Sequence, residues 1–328
     1  MGATHFRAQG GPGPNRDSLR SLRAGAVWTA LPQRDQSLLL WLLQGDIVTA
    51  ELAALLVHRQ LRTAQRRLAR LVDLGLLRGF WAASANRPRG RHAFELTRTA
   101  RRDIELLVWP EGLHDRGPEQ PASAPIHQLA TLDLLAAFLR HGDPLLGEGI
   151  VAWVPERACG RLFGGFLRPD ALAAVRVRDR VIPLFVERDL GTERGDALPE
   201  KVRRYRSVAT GWPDLVLTVG FVVESERRAR AIHELARAGR GLDAGPAVVT
   251  AIAERLRRDP VGALWSDGQT MRSTRQLAHL PAPASPPILG PGCLADGETL
   301  AALDDRGAAL LPSPAPIPGA HAARSEPR

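Results

Sequence analysis

Apolar residues recur at helical spacing through the first third of the chain. In the segment from about Gln60 to Leu74, four of them (Leu61, Ala64, Leu68, Leu71) fall on one stripe, and Gly75 suits a helix end. Two helices precede this segment and a β-hairpin and a further helix follow it. The predicted elements are helices over Arg34–Leu43, Glu51–Leu56 (with Thr49 as N-cap) and Gln60–Leu74, strands over Leu76–Trp81 and Ala93–Leu96, and a helix over Thr99–Leu107.

The pattern changes beyond residue 125. A strongly apolar helix comes first, and short β-type runs then alternate with helices, which is typical of an α/β (α+β) domain with a mixed sheet. The predicted elements are a helix over Ile126–Arg140, strands over Gly149–Val154, Pro169–Val177 and Val181–Asp189, a helix beginning near Pro199, a strand over Leu215–Val223, a helix over Glu224–Ala238 and a strand over Ala247–Ile252.

Stretches rich in Pro, Gly and polar residues separate and flank these two parts. We expect a disordered N-terminus (1–30), a first domain (31–108), a linker (109–125), a second domain (126–270) and a disordered Pro/Ala-rich tail (280–328). A length of 328 residues suits two domains, each with its own core.

Charge points to a polyanionic partner. The formal net charge is +9, and all but one of the 44 basic side chains are arginine. A basic balance of this kind favours binding to nucleic acid. A membrane surface is the weaker alternative, because no basic amphipathic anchor, signal core or transmembrane-length apolar run is visible. Two distant cysteines, Cys159 and Cys293, fit a reducing cytoplasm and no zinc site.

Three helices followed by a two-stranded wing predict a winged helix-turn-helix, in which the third helix enters the major groove of double-stranded DNA. Arginines lie on the helix face opposite the apolar stripe, and others lie in the wing. The candidate DNA-binding residues are Arg62, Arg66, Arg67, Arg70, Arg87, Arg89 and Arg91. A plain solvated helix face is the alternative interpretation.

The second domain brings carboxylates together. Asp170 begins one predicted strand, while Glu187 and Asp189 end the next and project from one face. A turn of even length would place Asp170 opposite one of them. Such a cluster predicts a divalent metal, Mg²⁺ or Mn²⁺, held by these three acids, with Lys201 stabilising phosphate charge. The alternative is that the acids pair with the nearby Arg168, Arg188 and Arg194.

Lys201 and Tyr205 are the only lysine and the only tyrosine of the chain, and they lie four residues apart. The run from Leu184 to Glu193 (LFVERDLGTE), followed by Glu200 to Tyr205 (EKVRRY), resembles the replication-relaxation family. Upstream, the resemblance includes the helix end RLVDLGLL from Arg70, the helix with His127 and Asp133, and the Arg168-Pro169-Asp170 strand, and it covers roughly residues 34–255. It implies a protein of a bacterial plasmid or integrative element that acts in replication and DNA relaxation, with replication or mobilisation proteins as further partners.

The second domain also resembles the restriction-endonuclease fold with its PD-(D/E)xK pattern. That resemblance implies that Asp170 and Glu187 are metal ligands and that Lys201 replaces the usual lysine, whose position holds Asp189. Asp133 is a weaker candidate for an outer ligand. His127 is interpreted as a capping or structural residue, and Tyr205 as a hydrogen-bonding residue rather than a covalent nucleophile.

Two functions therefore stay open. One is a DNA-binding protein that nicks or cleaves DNA with a metal. The other is a non-enzymatic replication or transcription accessory factor with an inactive nuclease-like domain.

Overall fold

The computed structural model describes residues 25–45, 47–84, 87–108, 123–142, 149–163, 165–177, 180–191, 197–211, 218–238, 247–260 and 262–273. The expectations for residues 1–24, 109–122 and 274–328 lie outside this part. Among the described residues, no helix has the length and apolar character that a membrane crossing requires.

The first part of the chain contains the three helices and the hairpin that the sequence predicts. Its elements are α1 (Gln33–Gln44), β1 (Val48–Thr49), α2 (Ala50–Ala53, continued by a π-helical turn over Ala54–His58), α3 (Leu61–Asp73), β2 (Leu77–Ser84), β3 (Arg87–Leu96) and α4 (Arg98–Val108). The strands form an antiparallel sheet in the order β1-β3-β2. The winged-helix assignment of this arrangement stays a prediction.

The ends of these helices follow the sequence signals. The Thr49 hydroxyl accepts the backbone N–H of Leu52, 3.3 Å away, and so caps α2 as predicted. Gly75 adopts the left-handed conformation, with φ of 72°, directly after α3. One position of the predicted stripe is wrong: Leu61 is 45% exposed, because it starts the helix ahead of the buried residues Ala64, Leu68 and Leu71.

The second part is built around a seven-stranded mixed sheet, so the chain has the α+β class that the sequence predicts. Its elements are α5 (Pro125–His141), β4 (Gly149–Pro155), α6 (Glu156–Leu162), β5 (Ala171–Val177), β6 (Arg180–Asp189), α7 (Ala197–Gly211), β7 (Thr218–Val223), α8 (Glu226–Ala238), β8 (Ala247–Ile252), α9 (Ala253–Arg258), β9 (Ala263–Ser266) and β10 (Met271–Ser273). The strand order is β10-β9-β8-β7-β6-β5-β4, with β6, β7 and β8 parallel and the other neighbours antiparallel.

Two apolar clusters cover the two faces of this sheet. The first contains Leu184 and Val186 of β6, side chains of α5, and the buried side chains of α1 to α3, so one apolar cluster extends through both parts of the chain. The second contains Phe185 of β6 together with Val202 and Tyr205 of α7 and Ile232 of α8. Because side chains alternate along a strand, Glu187 and Asp189 lie on the same face as Phe185.

Candidate functional site

The pairing of β5 with β6 brings the predicted acids together. Ala171 pairs with Val186, so Asp170 and Glu187 occupy the next position and face each other across the two strands. All three acids are buried: Asp170 is 8% exposed, Glu187 1% and Asp189 4%. A buried carboxylate is costly unless donors or cations surround it, so its partners decide what it can do.

Glu187 is held by two side chains of α7. The Tyr205 hydroxyl donates to Glu187 Oε1 at 2.5 Å, and Lys201 Nζ lies 2.9 Å from Glu187 Oε2. Lysine and tyrosine can approach the same carboxylate because residues four apart share one face of a helix. The only lysine and the only tyrosine of the chain therefore meet on one acid.

Burial raises the pKa of Glu187 from 4.5 to about 7, and the negative charge of Asp170 acts in the same direction, whereas Lys201 and the Tyr205 hydrogen bond lower it. Burial also raises the pKa of Tyr205 well above its ordinary value, and so does the charge of Glu187. A phenol of this kind is a hydrogen-bond donor rather than a nucleophile at neutral pH, as the sequence analysis expects.

Asp189 and Asp170 are also surrounded by donors. The Gly191 backbone N–H donates to Asp189 Oδ1 at 2.6 Å, and Arg228 Nε donates to Asp189 Oδ2 at 2.6 Å. The Arg188 backbone N–H donates to Asp170 Oδ2 at 2.6 Å, and His127 Nε2 lies 3.5 Å from the same oxygen. His127 also donates to the carbonyl oxygen of Arg188 at 2.6 Å, so this histidine ties α5 to the end of β6.

This arrangement does not fit a divalent metal. Both oxygens of Glu187 and both of Asp189 face a donor, and the described residues contain no group of three or more His, Cys, Asp or Glu side chains placed to hold a metal ion. A metal bound to Glu187 or Asp189 would have to displace Lys201 or Arg228 from the oxygen that each of them faces. Metal binding by Asp170, Glu187 and Asp189 stays a prediction that this geometry does not support.

Glu187 and Asp189 form ion pairs with Lys201 and Arg228, two partners that the sequence analysis does not pair with them. Of the arginines it suggests, Arg168 pairs with Glu156 at 2.9 Å and Arg188 with Glu224. Arg194 lies outside the described residues. No sequence signal could have singled out Arg228, because it lies 39 positions beyond Asp189 in a chain rich in arginine.

The candidate DNA-binding arginines separate into four groups, of which Arg91 is the last. Arg62, Arg66 and Arg70 are exposed along α3. Arg67 instead binds the carboxylate of Asp35, which is 1% exposed, and so fastens α3 to α1. The side chains of Arg87 and Arg89 lie outside the described part of the structure.

Arg91 points away from the wing tip. Its guanidinium forms an ion pair with Asp133 of α5 and donates to Thr49 Oγ1 at 3.2 Å, and its side chain is 10% exposed. The ion pair with Asp133 engages the Arg91 guanidinium within the protein. It joins the hairpin to the first helix of the second part.

The model of the replication-relaxation family matches residues 42–214, more than half of the chain, and this range includes both the α3 arginines and the Glu187–Lys201–Tyr205 cluster. The chain belongs to the replication-relaxation family. No curated protein and no solved structure matches it. Family membership indicates a role in replication or relaxation.

Proposed function

We propose that this replication-relaxation protein is a DNA-binding accessory factor of a bacterial plasmid or integrative element. The observation that carries the proposal is the exposed row of Arg62, Arg66 and Arg70 on α3. The opposite face of this helix packs into the core through Ala64, Leu68 and Leu71. A rigid helix that presents arginines at successive turns suits the major groove and the flanking phosphates of duplex DNA.

The second part of the chain supports a binding role rather than a cleaving role. Its acids are buried, and donors of the same chain surround Glu187 and Asp189. A closed network of this kind holds α7 and α8 on the sheet, as a scaffold or partner-binding domain requires. Replication or mobilisation proteins are the partners we propose for it.

The salt dependence of binding tests the DNA contact. For a fluorescein-labelled duplex, log Kd plotted against log salt gives the number of phosphates neutralised, at about 0.9 per contact. We expect the Arg62→Ala/Arg66→Ala/Arg70→Ala protein to bind more weakly and to lose about three units of slope if each arginine meets one phosphate.

The control removes the same charge elsewhere, through exposed arginines of α8 and α9: Arg227→Ala/Arg230→Ala/Arg258→Ala. Equal weakening by both triple variants would show that only net charge matters, and the proposed interface on α3 would then be wrong.

Metal-dependent nicking of DNA is the second candidate. The observation that favours it is the register that sets Asp170 opposite Glu187, with Lys201 at 2.9 Å from Glu187, as the PD-(D/E)xK resemblance implies. The assay is conversion of supercoiled plasmid to the open circle with Mg²⁺ or Mn²⁺. Nicking by the wild type that EDTA and Glu187→Gln both abolish would establish the enzyme and replace the accessory-factor proposal.

A further inference from the structure

A groove of about 670 Å³ opens between α3 and the β2–β3 hairpin. One wall consists of the α3 side chains Gln65, Ala69, Val72 and Asp73, with Glu51 of α2 beside them. The arginine row of α3 is not part of this wall. The other wall is formed by the hairpin, whose lining residues include Arg91 and three side chains with rings. The proposed DNA contact through the arginines makes no use of this groove.

The three rings form a row that leads from the core to the solvent. Phe94 is buried, His92 packs edge-on against it with ring centroids 4.6 Å apart, and Trp81 packs on His92 at 5.4 Å. Trp81 and His92 are direct cross-strand partners, so they lie on one face of the hairpin. Trp81 is 72% exposed, the most exposed of the large apolar side chains among the described residues.

Gly79 makes room for this row. A Cβ at position 79 would lie 2.8 Å from His92 Nε2, which real contacts do not allow, so any larger residue would push the imidazole out of line. The imidazole of His92 therefore lies over Gly79, which has no side chain, and Trp81 is the exposed end of the row of rings. A supported and solvent-facing indole is a ready stacking surface.

We propose that this groove binds an unpaired nucleobase of DNA, stacked on Trp81. Neighbouring base pairs cover both faces of a base inside a continuous duplex, so stacking on Trp81 requires a base that has left the helical stack. The oxygen acceptors of Asp73 and Gln65 match the amino groups on base edges. The arginine row on the same α3 helix supplies the positive charge that the flanking phosphates need.

This inference rests on the proposed DNA binding and goes beyond it, because it assigns the protein a preference for DNA that contains an unpaired stretch. A fully paired duplex would engage the arginines alone. A duplex with a short unpaired gap would engage the arginines and Trp81 together, and it should bind more tightly.

The test compares two fluorescein-labelled duplexes of one sequence, one fully paired and one with a short single-stranded gap. We expect Trp81→Ala to weaken binding of the gapped DNA by about 5- to 150-fold, the range for one stacked base, and to leave binding of the paired duplex unchanged. Trp81→Phe should keep most of the affinity. Phe166→Ala, which removes an exposed ring (53% exposed) from the second part, should change neither affinity.

A fluorescent base analogue, 2-aminopurine, placed in the gap gives a direct readout. Its emission should be quenched by the wild type and should recover with Trp81→Ala. Equal affinity of the wild type for both duplexes, or an equal effect of Trp81→Ala on both, would overturn the inference but keep the arginine interface. Failure to bind either duplex would overturn the proposed function as well. Loss of self-association with Trp81→Ala, without any effect on DNA, would instead assign the groove to a protein partner.

Discussion

The pH dependence of the protein's free energy of unfolding reports whether the Glu187 carboxyl is protonated in the folded protein. Because burial raises the pKa of this carboxyl from 4.5 to about 7, the folded protein holds a proton over a pH range in which the unfolded chain has released it. Glu187→Gln keeps the shape and an oxygen acceptor for Tyr205 but removes the titration. The difference between the two proteins should therefore change with pH.

The direction and size of the change follow from linkage. Below pH 4.5 the carboxyl is protonated in both the folded and the unfolded protein. The free energy of unfolding of the wild type is then at its highest relative to that of Glu187→Gln. As the pH rises from 4.5 to about 7, deprotonation favours the unfolded chain and this stability is lost; above about 7 the difference is constant. A shift of about 2.5 units at 1.36 kcal/mol per unit amounts to about 3 kcal/mol.

The assay is urea unfolding of both proteins at intervals from pH 5 to 8, followed by tryptophan fluorescence, with the same m-value required of both. A fixed offset between the two proteins does not matter, because only the change of the difference with pH is tested. Parallel curves would refute the reasoning. If the wild type instead became more stable than the Glu187→Gln protein as the pH rises, the carboxylate of Glu187 would be ionised in the folded protein, as a metal ligand must be.

Three further substitutions test the contacts that organise the molecule, each by urea unfolding. Tyr205→Phe leaves one oxygen of the buried carboxyl without its donor and should cost about 1–3 kcal/mol, and no loss would mean that the hydrogen bond is absent in solution. Arg67→Met leaves the buried Asp35 without its ion-pair partner and should lower the free energy of unfolding by about 2–3 kcal/mol, the low end for a broken buried pair because Arg67 is partly exposed. An unchanged urea midpoint would contradict the pair. Arg91→Met removes the ion pair with Asp133 that ties the hairpin to α5, and unfolding should then proceed in two transitions, whereas one lowered transition would show that the shared core alone couples the two parts.

Local patterns predicted the elements and the meeting of the acids. The stripe of α3 from Ala64 to Leu71, the cap at Thr49 and the left-handed Gly75 are short-range signals, and the structure confirms them. The opposition of Asp170 and Glu187 follows from the strand boundaries and from a connection that keeps the register. Short-range physics was sufficient for these features.

The partners of the charged side chains could not be predicted in the same way. Whether Arg91 reaches DNA or Asp133 depends on a helix 42 positions later in the chain, and the same holds for Arg228 and Asp189 at a separation of 39. An arginine-rich chain offers many chemically equivalent partners for each acid, so spacing alone cannot choose among them. The folded backbone makes that choice.

Lys201 shows why chemistry can still single out a residue in such a composition. The carboxyl of Glu187 lies under α7 with Tyr205 already on one oxygen, and the other oxygen has room for a compact ammonium at 2.9 Å. A partly exposed guanidinium also pairs with a buried acid in this chain, as Arg67 does with Asp35 and Arg228 with Asp189. Lys201 differs in its chemistry, because its compact ammonium contacts one carboxylate oxygen, whereas a guanidinium carries five donors in a planar fork. A divalent cation on Glu187 Oε2 would have to displace this ammonium, which lies 2.9 Å from that oxygen.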